Sequence, residues 1–155
     1  MSPDFLRPEH PAPGCELCRE PGGTLVWQDA AWRVIRVADA AFPGFYRVVA
    51  RAHVGEFSDL DAAARHHVMN LVATVERVLR EALVPTKVNL AALGNVVPHL
   101  HWHVIARFDW DSHFPQPIWG ARQREVQPAP AERLAAGLAG LDERVARALA
   151  ACAPT

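Results

Sequence analysis

Apolar residues recur along this chain in two periods. From 58 to 84, Leu60, Ala64, Val68, Leu71, Val75, Val78, Leu79 and Ala82 return at spacings of three and four, which predicts one amphipathic helix of about seven turns stopped by Pro85. Ser58, with Asp61 three residues on, suits the N-cap and acid of a capping box, so the helix is expected to begin there. A weaker helix follows from Leu134, Leu138, Leu141, Val145 and Leu149, where Gly137 and Gly140 each cost about 1 kcal/mol relative to alanine.

Period-two and β-branched runs predict five strands. Residues 24–28 and 32–37 form a hairpin around Asp29, and 45–50 follow the turn at Pro43-Gly44. Residues 86–93 and the run from Pro98 to about Phe108 form a second hairpin across Gly94-Asn95. Three strands, a helix, two strands and a helix make an α+β fold: a five-stranded antiparallel sheet with the long helix on one face, plus an extra C-terminal helix. Residues 1–14, with four prolines, read as a flexible N-terminal arm, 15–120 as the main domain, and 121–155 as a proline-rich linker and helix. Residues 109–130 read as an irregular wrap.

Within the fifth strand stands His99-Leu100-His101-Trp102-His103-Val104-Ile105, three histidines at alternate positions. Side chains alternate across a strand, so Leu100, Trp102 and Val104 face the long helix while the imidazoles share the opposite, open face. At about 3.4 Å per residue, His99 and His103 lie roughly 13 Å apart, too far to share one ion at Zn–N distances of about 2.1 Å. An adjacent pair remains within reach of a metal, and direct chemistry by neutral imidazole is the other reading.

The chain has 155 residues, half of them hydrophobic, enough for a sizeable core in one ordinary domain. A net charge of -1 and a pI near 6.7 give no basic surface for long nucleic acid. No 18-residue apolar run and no signal-peptide pattern are present, so a cytoplasmic protein that does not engage membranes is expected. Three cysteines argue against a disulfide framework, and the Cys15-Glu-Leu-Cys18 pair, flanked by Pro-Gly sequences, sits on a loop that suits metal more than a helix-opening redox motif. Lys87 and Arg107 read as solvated strand-end charges, and His10, His66 and His67 as structural or surface groups. His113, in the wrap, stands close enough to the histidine strand to be a candidate substrate contact.

The histidine strand, with Gly44-Phe-Tyr-Arg-Val-Val-Ala-Arg-Ala-His53 upstream of it, resembles the histidine triad family of nucleotidyl hydrolases and transferases, from about Cys15 to Trp119. The resemblance implies that His101 attacks the α-phosphorus of a purine nucleotide substrate to give a nucleotidyl-histidine, and that His103 contacts phosphate oxygens. It implies Asn89, Asn95 and Asp39 as substrate-binding residues, Asn95 standing where the family more often has glutamine. Bacterial members of the zinc-containing, diadenosine tetraphosphate hydrolase-like branch imply one structural Zn²⁺ on Cys15, Cys18, His53 and His99, and no organic cofactor. A dinucleoside polyphosphate is the implied substrate and a homodimer the implied assembly. Three alternatives stand beside this reading: a nucleoside phosphoramidase, disfavoured by Val96 where a serine is expected; a metallohydrolase with its ion on His101 and His103; and a non-catalytic nucleotide-binding module.

Overall fold

Five antiparallel strands in the order β1-β2-β3-β5-β4 form the sheet of the computed structural model, which describes residues 5–152. They are β1 (Thr24–Gln28), β2 (Trp32–Arg36), β3 (Phe45–Ala50), β4 (Lys87–Ala91) and β5 (His101–Arg107). A one-turn helix α1 (Glu16–Arg19) precedes them, α2 (Ala62–Leu83) links β3 to β4, and α3 (Pro130–Arg133) and α4 (Leu138–Ala150) end the fold. The expected five-stranded α+β architecture is the observed one. Of the expected arm, residues 1–4 fall outside the described residues, as do the last three of the tail. From residue 5 the arm lies against the sheet: the Leu6 N–H donates to Gln28 and the Arg33 guanidinium stacks 4.7 Å from the Phe5 ring.

The helix start differs from expectation. Ser58 belongs to a separate 3-10 turn, Phe57–Asp59, and α2 begins after Asp61, whose Oδ1 accepts the Ala64 N–H at 2.8 Å. The acid expected to complete a capping box is itself the cap. At the other end Val84 takes a left-handed conformation with φ 47°, its N–H returns to the Arg80 carbonyl, and Pro85 cannot continue the helix.

Both long helices cover the same face of the sheet. Val68, Leu71, Val75 and Leu79 of α2 pack with Val34, Tyr46, Val48 and Val104, all fully buried or nearly so. Leu141, Val145 and Leu149 place α4 in the same core, against α2 and β1. Asp142 ties α4 to the strands, accepting from the Tyr46 hydroxyl at 2.6 Å and from Arg36 Nε at 2.9 Å. Burial and that carboxylate push the Tyr46 phenol well above its ordinary pKa. His67 of α2 meets Asp29 of the β1–β2 turn at 2.8 Å, so this histidine is structural.

The opposite face, expected to be open, is covered at both ends. At one end Leu17 and the two cysteines of the α1 loop pack on Ile35 and Val49. At the other, Phe42, Phe45 and Ile105 are capped by Ile118 of the wrap. Arg107 holds that wrap: it is 2% exposed, forms a bidentate pair with Asp111 at 2.8 and 3.0 Å, and donates to Asn89 Oδ1 and the Gln116 carbonyl. Its expected place as a solvated strand-end charge is therefore wrong, because the wrap folds back over the end of β5 and takes the guanidinium out of water. Between the two covers a gap remains over His101 and His103.

Candidate active site and metal centre

Strand parity sets the site. His101 and His103 point to the face away from α2, and on β3 the same face carries Val49 opposite His101 and Arg47 opposite His103. His99 lies just before β5 and is fully buried. The row of histidines divides there: His99 precedes the strand, and its ring meets Cys15 and Cys18 of the α1 loop.

Cys15, Cys18, His53 and His99 form the one group of three or more metal-capable side chains among the described residues, with ligand atoms all within 4.8 Å of one another. Cys15 Sγ is 3.4 Å from His99 Nδ1, Cys18 Sγ is 3.4 Å from His53 Nδ1, and Cys18 Sγ is 3.5 Å from His99 Nδ1. One tetrahedral ion with S and N ligands at about 2.3 and 2.1 Å separates such atoms by about 3.6 Å, so the donor set fits a closed four-coordinate site. The tautomer fits too. His99 Nε2 donates to the Ala50 carbonyl at 2.6 Å, which leaves Nδ1 bare towards the sulfurs.

Burial raises the Cys18 thiol pKa, while the nearby Arg33 charge works in the opposite direction and favours the thiolate. Arg33 is itself buried and holds the loop by donating to the carbonyls of Leu17, Glu20 and Pro21. Burial lowers its pKa to about 10, so it is still a cation at neutral pH. The two cysteines are thus presented by a loop anchored on β2, and the two histidines by the ends of β3 and β5.

One residue along the face, the arrangement is inverted. His101 donates Nδ1–H to the His99 carbonyl at 2.6 Å, so its Nε2 carries the free lone pair. Burial lowers its pKa, with the Arg47 and Arg33 charges adding to the effect, which keeps the ring neutral and nucleophilic near pH 7. His103 is pushed further, to about 3, by burial, then by His101 and Arg47. Arg47 Nε lies 3.4 Å from His103 Nδ1, a long contact that favours the tautomer with its proton on Nε2. The ring of Trp119 stands edge-on to His103 at 5.0 Å.

These groups floor a cavity of about 650 Å³. Its walls are the 93–97 loop, Glu16 and Leu17 of α1, and Trp119. Gly94 turns the loop with φ 83°, and Asn95 beside it lies in the wall. Asn89 and Asp39 are not in the lining. Asn89 spends its side-chain oxygen on Arg107, and Asp39 caps its own turn by accepting the Ala41 N–H at 3.0 Å. His113 packs edge-on against Phe42. Arg47 and Trp119 carry site positions that the sequence reading did not assign. Arg47 stands out in the sequence as the one charge inside an otherwise apolar strand, but its place on the histidine face follows from the β3–β5 register.

A family model described as the HIT domain matches residues 19–110. The chain is similar to the solved structure of a histidine triad protein from Bradyrhizobium japonicum, at 30% identity over 85% of this chain and 91% of that one, with a TM-score of 0.64. A histidine triad protein from Marinobacter aquaeolei VT8 is 25% identical over 86% and 93% of the two chains, with a TM-score of 0.67. A zinc-bound histidine triad family protein from Mycobacterium smegmatis shares the fold at 17% identity over 81% and 83%, with a TM-score of 0.53. No curated protein matches the chain.

Proposed function

The chain belongs to the histidine triad (HIT) family, and we propose that it is a nucleotidyl hydrolase or transferase that attacks the α-phosphate of a purine nucleotide, with a dinucleoside polyphosphate such as diadenosine tetraphosphate as substrate. The observation that carries this reading is the His101 imidazole, whose Nδ1–H is committed to the His99 carbonyl inside a cavity that also holds His103 and Arg47. Nε2 of His101 forms the bond to phosphorus as the bond to the leaving phosphate oxygen breaks, and water then cleaves the phosphorus–nitrogen bond. His103, neutral and with its proton on Nε2, donates to a phosphate oxygen where charge builds up. Asn95 supplies an amide from the cavity wall. Asn89 and Asp39 lie outside that cavity, so in this reading they meet only a part of the substrate that extends past it.

We assign Cys15, Cys18, His53 and His99 as ligands of one zinc ion, a reading supported by their spacing and by the zinc-bound relative. With four protein ligands the ion supplies structure and no open position for water. His101 and His103 have no third ligand beside them among the described residues, which counts against a catalytic ion at that pair. No helix among the described residues is long and apolar enough to cross a membrane. A two-fold homodimer is the assembly we propose, to be read by light scattering on a sizing column.

Turnover of diadenosine tetraphosphate and of adenosine 5′-phosphoramidate by wild type and His101→Ala tests the reading. We expect the variant to lose roughly 10³-fold or more in kcat. Full activity in the variant would remove the covalent mechanism, and tight AMP binding with no turnover of either substrate by wild type would make the protein a binding module.

A further inference from the structure

Three arginines lie on the histidine face, and two are spent on the protein. Arg33 serves three carbonyls of the α1 loop, and Arg107 serves Asp111, Asn89 and Gln116. Arg47 differs. Among the described residues its side chain makes one hydrogen bond, the long Nε contact to His103, and no carboxylate pairs with it. The guanidinium lies 5.3 Å from the Phe45 ring in the floor of the cavity. Glu16, the acid on the cavity wall, is exposed and makes no hydrogen bond to it. Burial lowers the Arg47 pKa and Glu16 only partly offsets this.

A half-buried cation without an anion is costly, and a planar guanidinium with both terminal nitrogens uncommitted presents a fork that matches phosphate oxygens. Arg47 also stands opposite His103, about 7 Å along the sheet from the level of His101. In the transfer proposed for His101, two parts of the substrate are attached to the reacting phosphoryl group. Of the two attached parts, a nucleoside is neutral and a leaving phosphate is anionic.

We propose that Arg47 grips the leaving phosphate and so makes this site selective for substrates with an anionic, phosphate-bearing leaving group over those with a neutral amine. The inference deepens the nucleotidyl transfer assigned to His101 and rests on it. In the step concerned, His101 Nε2 bonds to phosphorus, the phosphorus–oxygen bond breaks, and the leaving phosphate departs with the electron pair as an anion whose added charge Arg47 offsets. An amine leaving group departs with a proton instead and gains nothing from a guanidinium.

Steady-state kinetics on diadenosine tetraphosphate and adenosine 5′-phosphoramidate, with wild type, Arg47→Leu and Arg47→Lys, tests this. Arg47→Leu also removes the Nε contact to His103 and so slows both reactions, but it is expected to lose at least about 20-fold more in kcat/KM on the polyphosphate than on the phosphoramidate, with Arg47→Lys between. The salt dependence of the polyphosphate reaction flattens in Arg47→Leu. Equal losses on both substrates, or no loss on the polyphosphate, overturn the proposal, as does a wild type that cleaves the phosphoramidate alone. Phosphoramidate turnover by Arg47→Leu shows that the variant folds and that His101 works; should it fail to fold, Arg47→Lys and Arg47→Gln carry the same comparison. A wild type that turns over neither substrate removes the His101 reading, and this inference falls with it.

Discussion

His99 holds His101 by its backbone: the His99 carbonyl accepts the Nδ1–H of His101 at 2.6 Å, while the His99 ring donates to Ala50 and turns its other nitrogen to the two cysteines. One residue thus joins the metal cluster to the tautomer of the proposed nucleophile. A change that lets the His99 backbone move loosens the group that does the chemistry.

Cys18→Ser is expected to abolish stoichiometric zinc and to destabilise the protein. Loss of about 3 kcal/mol, a modest share of what structural zinc contributes in small domains, lowers Tm by roughly 6–12 °C in a chain of this size. Activity falls with the folded fraction and is not restored by metals offered to the His101–His103 pair. Metal analysis and thermal melts on both proteins check this. Equal zinc in wild type and variant would remove the ligand set.

The Arg107–Asp111 pair is 2% exposed on each side and fixes the wrap that carries Trp119. Asp111→Ala leaves a buried guanidinium without its partner, which costs about 3–5 kcal/mol. Three main-chain N–H groups, of Phe108, His113 and Phe114, lose their acceptor as well. Chemical denaturation reads the cost directly; a change under about 1 kcal/mol would show that the wrap is held by its apolar contacts instead.

The five strands, the antiparallel pairing of β4 with β5 and the facing of β5 were readable because period two and period 3.6 each recur over enough residues to fix a burial face. Leu100 and Val104 do pack towards α2, and the cysteine pair and two distant histidines do converge. What local pattern could not carry is long-range closure. Nothing near Arg107 in sequence says that Asp111 and Gln116 will fold back on it, and nothing at Arg47 says that its neighbour across the sheet is His103. Asn89 shows the same limit: its strand position was right, yet its side chain answers to Arg107, a partner 18 residues away.

Stability should decline on mild acidification, in part through His103. The folded protein refuses a proton there until about pH 3, held off by burial and by His101 and Arg47, whereas the unfolded chain takes one near pH 6.5. Between those values the unfolded state binds more protons, so the His103 contribution is intact above about pH 6.5 and shrinks as pH falls towards 3. Urea midpoints at pH 7.5 and 5.0 are expected to drop more for wild type than for His103→Gln. Equal drops would mean that His103 titrates normally in the folded state.

The central claim is that His101 becomes covalently nucleotidylated. Wild type is mixed with diadenosine tetraphosphate, quenched within a single turnover in alkaline denaturant, and its intact mass and peptides are measured. The account predicts a gain of one adenylyl group, carried by the peptide that contains His101 and absent in His101→Ala. Turnover by wild type with no adduct at any quench time, or an adduct that persists in His101→Ala, would contradict it.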